Sequence, residues 1–266
     1  MRRLYIDGLA LWAPALPGWQ TAGPALRGQA VATPATATAQ RPSPQMLAAA
    51  ERRRAPDTVA LALEVAAAAV LQSGHDAAQL PSLFVSAHGD LGINDYMCST
   101  LAVTPTLLSP TKFHNSVHNA AAGYWTMGTG CHQASTALSA FEWSFANGLL
   151  TAATQATADH RAVLLVGYDV AAVGALTSVT RSDGLLAVAL VLSPLRSAHS
   201  IAQLEWALHD APATAPTLQS AAARALAGNA MADALPLFEA LARGVADELL
   251  LPLSPHQALR LALAAV

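Results

Sequence analysis

The sequence predicts a layered α/β domain followed by a helical C-terminal tail, and three observations carry that expectation. Residues 162–167 and 185–192 are short, wholly apolar runs, the pattern of strands buried on both faces of a sheet. Residues 45–53 and 57–72 are dominated by strong helix formers, so strands and helices alternate as in an α/β layer. From residue 217 to 246 alanine, leucine and charge recur at helical spacing, and residues 249–266 are expected to add another turn or two. These features divide the chain into a layered domain over residues 1–200 and a helical extension over residues 201–266.

In chain order, residues 4–6 form a short strand candidate, and residues 21–44, rich in Pro, Ala, Thr and Gln without an apolar stripe, an irregular excursion. Asp57 suits the N-cap of the first long helix, and Ser73 with Gly74 stops it. Residues 83–87 are a buried strand, and His88 to Gly92 a glycine turn where chain and ligand could come close. Residues 113–124 are expected to be helical, 134–137 extended and 138–150 helical.

Composition removes several function classes. Apolar residues make up 53% of the 266, charged residues 12%, and the formal net charge is −3, which leaves no basic footprint for nucleic acid. Lys112 is the single lysine beside thirteen arginines. Sparse charge on so apolar a chain suggests a surface partly covered by another protein. Two cysteines, Cys98 and Cys131, make no disulfide framework and no CxxC pair, so a cytoplasmic location is expected. Only His114 and His118 of the nine histidines share a helical i, i+4 spacing, without an HExxH carboxylate, so neither metal nor cofactor is expected. Arg2 and Arg3 imitate a signal peptide, but Asp7, Pro14 and Pro17 interrupt the run that follows, and no apolar run reaches the roughly 20 residues of a membrane span.

One ordered series of motifs bears on function. Arg52, Arg53 and Arg54 lead into the alanine-rich helix, and residues 83–92 give a strand and glycine turn. Ser109-Pro110 and Phe113 precede Asn119-Ala120-Ala121-Ala122-Gly123, Gly130 precedes Thr136-Ala137-Leu138, and Arg181-Ser182-Asp183-Gly184 opens the strand at 185. The series resembles the N-terminal half of a β-ketoacyl synthase over roughly residues 1–195. The resemblance implies a thiolase-like layered α/β/α half-fold and sets Leu138 where the family carries its nucleophilic cysteine. It also implies two catalytic histidines in a second half, but His199, His209 and His256 stand in no such turn. Condensation needs a thiolate at a helix N-terminus, where dipole and amides favour negative charge. With neither the thiol nor the histidines, the resemblance implies a silent subunit of chain-length-factor type. Its partners would be an active β-ketoacyl synthase in a heterodimer and, indirectly, an acyl carrier protein. The pathways implied are polyketide or fatty-acid-type synthesis, in particular of aryl polyene or xanthomonadin-type pigments.

By that resemblance Phe113, His114, His118, Asn119, Tyr124, Trp125 and Met127 are candidates for the partner interface and the wall of the acyl tunnel, and Arg52, Arg53 and Arg54 for carrier-protein contact. Two other readings stay open. A small acyl thioesterase or decarboxylase would use Cys131, Ser139 or the pair His114 and His118; Cys131 and His132 are adjacent in a turn, which rarely presents both side chains to one substrate, and Ser139 lacks the Gly-x-Ser-x-Gly surround of a nucleophile elbow. A stand-alone binding module for acyl thioesters would need no partner. On the tunnel reading, shrinking Trp125 to alanine in the complex is expected to lengthen the product, measured by mass spectrometry.

Overall fold

The computed structural model describes residues 1–29 and 41–266. Its first unit is a strand β1 (Arg2–Ala13) with a short return β2 (Leu16–Pro17), followed by helix α1 (Trp19–Leu26). Helices α2 (Ala49–Arg54) and α3 (Asp57–Ser73) lead to β3 (Ser82–Val85). Helices α4 (Leu91–Val103), α5 (Pro110–His114) and α6 (Ala120–Thr129) lie between β3 and β4 (Ser135–Leu138). Then follow α7 (Ser144–Asp159), β5 (Val163–Val170), β6 (Leu185–Ser193) and β7 (Ala202–His209). The chain ends with α8 (Ala221–Ala225), α9 (Leu235–Arg243) and the hairpin of β8 (Asp247–Ser254) with β9 (Gln257–Ala264).

All of the described strands belong to one nine-stranded sheet, ordered β4-β3-β5-β6-β1-β7-β9-β8 with β2 beside β1. β3 is parallel to β4 and β5, and the other pairs are antiparallel. The strands expected at 162–167 and 185–193 are its centre, and their alternate residues divide the core. Val163, Leu165, Leu186, Val188 and Leu190 point to a layer holding α1, α7 and α9. Leu164, Val166, Ala187, Ala189 and Val191 point to the opposite layer, holding α3 and α6. Helices on both faces explain why these strands carry no polar alternation. The α/β class is as expected.

The C-terminal tail differs from its expectation. Residues 221–225 and 235–243 are helical, but residues 249–264 form a hairpin and residues 202–209 another strand. Leu204 and Trp206, then Leu251 and Leu253, then Leu259, Leu261 and Leu263 are buried at a spacing of two, continuing the core of the first layer. The alanines between them suit a helix as well, and only the neighbouring strand decides. Sheet and core therefore run through residue 200 without a break.

Three boundaries also move. Residues 19–26, partly within the stretch read as irregular, are helical, with Trp19 packed edge-on to Phe238 at 6.1 Å; residues 30–40 of that stretch lie outside the described residues. The helix expected over 113–124 is two helices, because Asn115 closes α5 by bonding back to Thr111 with both backbone and side-chain N–H. The helix expected from 138 begins at Ser144.

β1 is the hub of the sheet, since it pairs with β2, β6 and β7. The fully buried Asp7 in its middle is satisfied by the Ser200 hydroxyl at 2.7 Å and His75 Nε2 at 3.1 Å. Next to it, Gly8 lets α3 lie on the strand, for a Cβ there would stand 2.0 Å from the Ala69 carbonyl oxygen. Backbone cannot yield as a flexible side chain can, so Gly8→Ala is expected to destabilise the fold by at least about 1–3 kcal/mol. Urea unfolding checks this, and an unchanged midpoint would contradict the packing described.

Candidate functional site

β4 follows β3 in parallel, Leu138 opposite Val85, and the chain then turns through residues 139–143 into α7. Leu138 therefore belongs to the strand and stands six positions before the first helical residue. The residue at the turn is Phe141, whose φ of 52° lies in the left-handed region that a bulky side chain avoids. The Ser144 hydroxyl closes the turn, donating to the Phe141 carbonyl at 2.8 Å and accepting from the Ala140 N–H at 3.0 Å.

A helix start is normally a place for an anion. Here the chain provides its own: the Asp233 carboxylate accepts from the N–H groups of Phe145 at 2.9 Å and Ala146 at 3.3 Å. Its Oδ2 makes both bonds, while Oδ1 is buried without a partner among the described residues. Burial pushes the carboxyl up to about 7, against the lowering effect of those two amides.

A second buried acid organises the loop after β3. Asp169, at the end of β5, accepts from the Ser86 hydroxyl at 2.7 Å, the Ala87 N–H at 2.9 Å and the His88 N–H at 3.3 Å. Burial raises it to about 6. His88 is thereby set edge-on to Phe141, ring centres 5.7 Å apart, and burial holds its imidazole below the ordinary histidine value. Asn229 ties in the C-terminal segment, donating to the carbonyls of Asp169 at 3.3 Å and Asp183 at 2.9 Å. His88, Phe141, Glu142, Arg181, Asn229 and Asp233 border a cavity of about 880 Å³, beside the glycine turn read as an approach for ligand.

Of the expected site residues, Ser139 lies in this turn and His118 reaches the loop beside it, while the others stand elsewhere. Phe113 and Met127 are exposed, 60% and 66%, and His114 is exposed with its ring 6.5 Å from that of Tyr124. His118 is partly buried, with Nε2 3.0 Å from the Ser86 carbonyl oxygen, and Asn119 stands at the start of α6. Tyr124 and Trp125 are buried in the protein's own core, Trp125 against Phe84 at 6.5 Å, so neither faces outward as a tunnel wall would. Cys131 is buried, its thiol 3.4 Å from the Leu80 carbonyl oxygen, and the Ser139 hydroxyl donates to the Ala87 carbonyl at 2.9 Å. Arg52 bonds Gln45 at 2.7 Å and Arg54 meets Glu51 at 3.6 Å, while Arg53 is exposed. Among the described residues no group of three His, Cys, Asp or Glu could hold a metal ion, and no helix is long and apolar enough to cross a membrane.

Phe141, Asp169, Asn229 and Asp233 were missed as a set. Asp169 terminates an apolar strand, which is a visible signal. Nothing local marks Asp233, 88 positions from the amide it caps.

Two expectations follow. Trp125→Ala would leave a large hole in a closed core and cost about 3–5 kcal/mol, seen as a lower denaturant midpoint of the isolated chain. Unchanged stability would mean the indole is not packed as described. The raised carboxyls make stability depend on pH. Asp169 and Asp233 keep their protons in the fold at pH values where the unfolded chain has lost them, so their contribution is complete below about pH 4. It is lost as pH rises through about 6 to 7. Melting temperature is therefore expected to fall from pH 4 to pH 8, with Asp233 removing on the order of 2–4 kcal/mol of unfolding free energy. Asp233→Asn should flatten that slope; a slope identical to the parent's would refute the assignment.

Comparison with known proteins places this architecture. Three solved structures share it across essentially the whole chain. A ketosynthase (ApeO) in complex with its chain length factor (ApeC) from Xenorhabdus doucetiae matches with TM-score 0.73 and 23% identity, over 98% of this chain and 100% of that one. The AntDE:AntF complex, a type II polyketide synthase acyl carrier protein with its ketosynthase, matches with TM-score 0.76 and 11% identity, over 100% of both chains. The ishigamide ketosynthase/chain length factor matches with TM-score 0.68 and 14% identity, again over 100% of both. At such identities the likeness is one of fold, the thiolase-like fold of ketosynthases. Comparison with curated proteins gave no match. The family model of the β-ketoacyl synthase N-terminal domain matches residues 27–249, and the chain belongs to that family.

Proposed function

We propose that this chain is a non-condensing, chain-length-factor type subunit that pairs with an active β-ketoacyl synthase and shapes its acyl tunnel. The observation that carries the reading is the turn into α7, where a phenylalanine with positive φ occupies the place suited to a nucleophile. On this reading the lost cysteine corresponds to Phe141 and not to Leu138. The helix-start amides that would favour a thiolate are engaged by Asp233 as well. The two matched structures that hold a ketosynthase with its chain length factor lend the pairing support.

The surface agrees with a covered subunit. From α4 to the residues just after α5, Leu101, Val103, Leu107, Phe113 and Val117 are exposed, a run of large apolar side chains that a covering protein would bury. β4 is also an edge strand with no neighbour on its outer side among the described residues. Phe113 and Met127 are the exposed candidates for closing the tunnel, and Arg53 for touching an acidic carrier protein. A cytoplasmic place in an aryl polyene or xanthomonadin-type pathway is the part of this reading that rests on the sequence resemblance alone.

Co-expression with a full-length β-ketoacyl synthase, followed by size-exclusion chromatography with light scattering, is expected to give a stable 1:1 complex that condenses malonyl thioesters, while the chain alone does not. Phe141→Cys in the isolated chain should leave it inactive, since none of His199, His209 and His256 stands in a turn of the kind that carries the family's catalytic histidines. A solitary chain that condensed or hydrolysed acyl thioesters with robust turnover would sink the proposal. Within the complex, Phe113→Ala or Met127→Ala should lengthen the product; identical lengths for both would remove them from the tunnel.

A further inference from the structure

We infer that Lys112, the one lysine of the chain, selects the protein that covers the α4–α5 arm: it opposes pairing of the arm with the same arm of a second copy and calls for an acidic side chain on the partner, a β-ketoacyl synthase. The inference rests on the reading that this arm is covered by another protein.

The arm is built around Tyr96. Its hydroxyl accepts from the Ser109 N–H at 2.9 Å and donates to the Leu107 carbonyl at 3.4 Å, so α4 and α5 are joined through one side chain. The Lys112 ammonium lies 4.3 Å above the same ring, a cation–π contact that fixes the charge on the outer surface. On the same arm and just after it Leu101, Val103, Leu107, Phe113 and Val117 are all exposed. Among the described residues no carboxylate lies within ion-pair distance of Lys112. Asp95 is the only acid between residues 91 and 119, and it is turned away onto Gly174, where a Cβ would meet its Oδ1 at 2.0 Å.

Covering this apolar surface takes water from Lys112. The ring beneath it compensates only part of the lost hydration, and a buried ammonium without a counter-charge opposes association. Two arms set against each other would bury two such ammoniums and offer no free carboxylate to either. The apolar surface therefore favours association, while the lysine discriminates among the surfaces available, which is how specificity by repulsion operates. A surface that places an Asp or Glu over Tyr96 turns the same charge into an ion pair.

The test has two arms, both on full-length protein. In sedimentation velocity of the isolated chain, Lys112→Met is expected to self-associate about tenfold more strongly than the parent, as removal of a repulsive charge should allow. With a co-expressed full-length β-ketoacyl synthase, Lys112→Glu should reduce recovery of the 1:1 complex about tenfold or more, and Lys112→Arg should retain it. Because Lys112 is exposed, none of these changes touches the core, and circular dichroism should show the parent fold. Unchanged self-association in Lys112→Met, or an undiminished complex in Lys112→Glu, overturns the inference. If the parent forms no complex with the synthase, the pairing reading fails instead, and the self-association arm still decides whether Lys112 opposes pairing with a second copy.

Discussion

Asp169 is the group on which the arrangement of the site depends. It lies wholly buried at the end of a central strand and gathers three donors, the Ser86 hydroxyl and the amides of Ala87 and His88. Those bonds bend the chain after β3 and hold His88 against Phe141. Through the Ser139 hydroxyl, which donates to the Ala87 carbonyl, the same bend is joined to the turn leaving β4. Asn229 completes the set by donating to the backbone carbonyl of Asp169, which brings in a segment 60 positions later. A carboxyl so enclosed resists ionisation, and the three donors are what keep the resistance moderate. One buried acid thus fixes the relation between two loops and a distant segment that share no regular hydrogen-bond ladder.

The second acid has a different consequence. Asp233 is placed on the first amides of α7, where the partial positive charge of a helix start would otherwise attract an anion from solution. Asp233 already accepts from these amides, because the fold has brought it there, so they are engaged from within the chain. Catalysis by the family's chemistry needs this helix end to be available for charge that develops during reaction. Asp233 on the first amides and a phenylalanine at the turn both bear on the proposal that this chain does not condense.

Those parts of the fold that rest on local pattern were legible, and those decided by distant contacts were not. The runs at 162–167 and 185–192 announced themselves because both their faces are covered, so no polar residue interrupts them. Trp206, Leu261 and Leu263 alternate just as clearly in the structure, yet alanines at 207, 258, 262 and 264 blur a period of two into one of 3.6. The start of α7 was misplaced for a related reason. Leu138, Ser139 and Ala140 are acceptable in a helix, and it is the pairing of Leu138 with Val85 that holds them extended. Phe141 could not be distinguished from an ordinary helical aromatic, since its backbone sign is a result of that pairing. Asp233 was hidden more completely, because a capping carboxylate in sequence terms is sought beside the helix it caps.

What distinguishes this chain is the division of labour between its two surfaces. At the turn into α7 the backbone amides of residues 140, 145 and 146 are satisfied from within, by Ser144 and Asp233. On the α4–α5 arm the reverse holds, for a thirteen-residue helix buries only Leu91 and Ile93 and the residues from 101 to 107 are all exposed. A stretch with so few buried contacts gains little stability from its own chain and is the part expected to gain most from being covered. An apolar surface without charge would associate with any similar surface, including its own copy. The chain spends its single lysine there, over Tyr96, and it is this placement, more than the apolar area of the arm, that makes association selective.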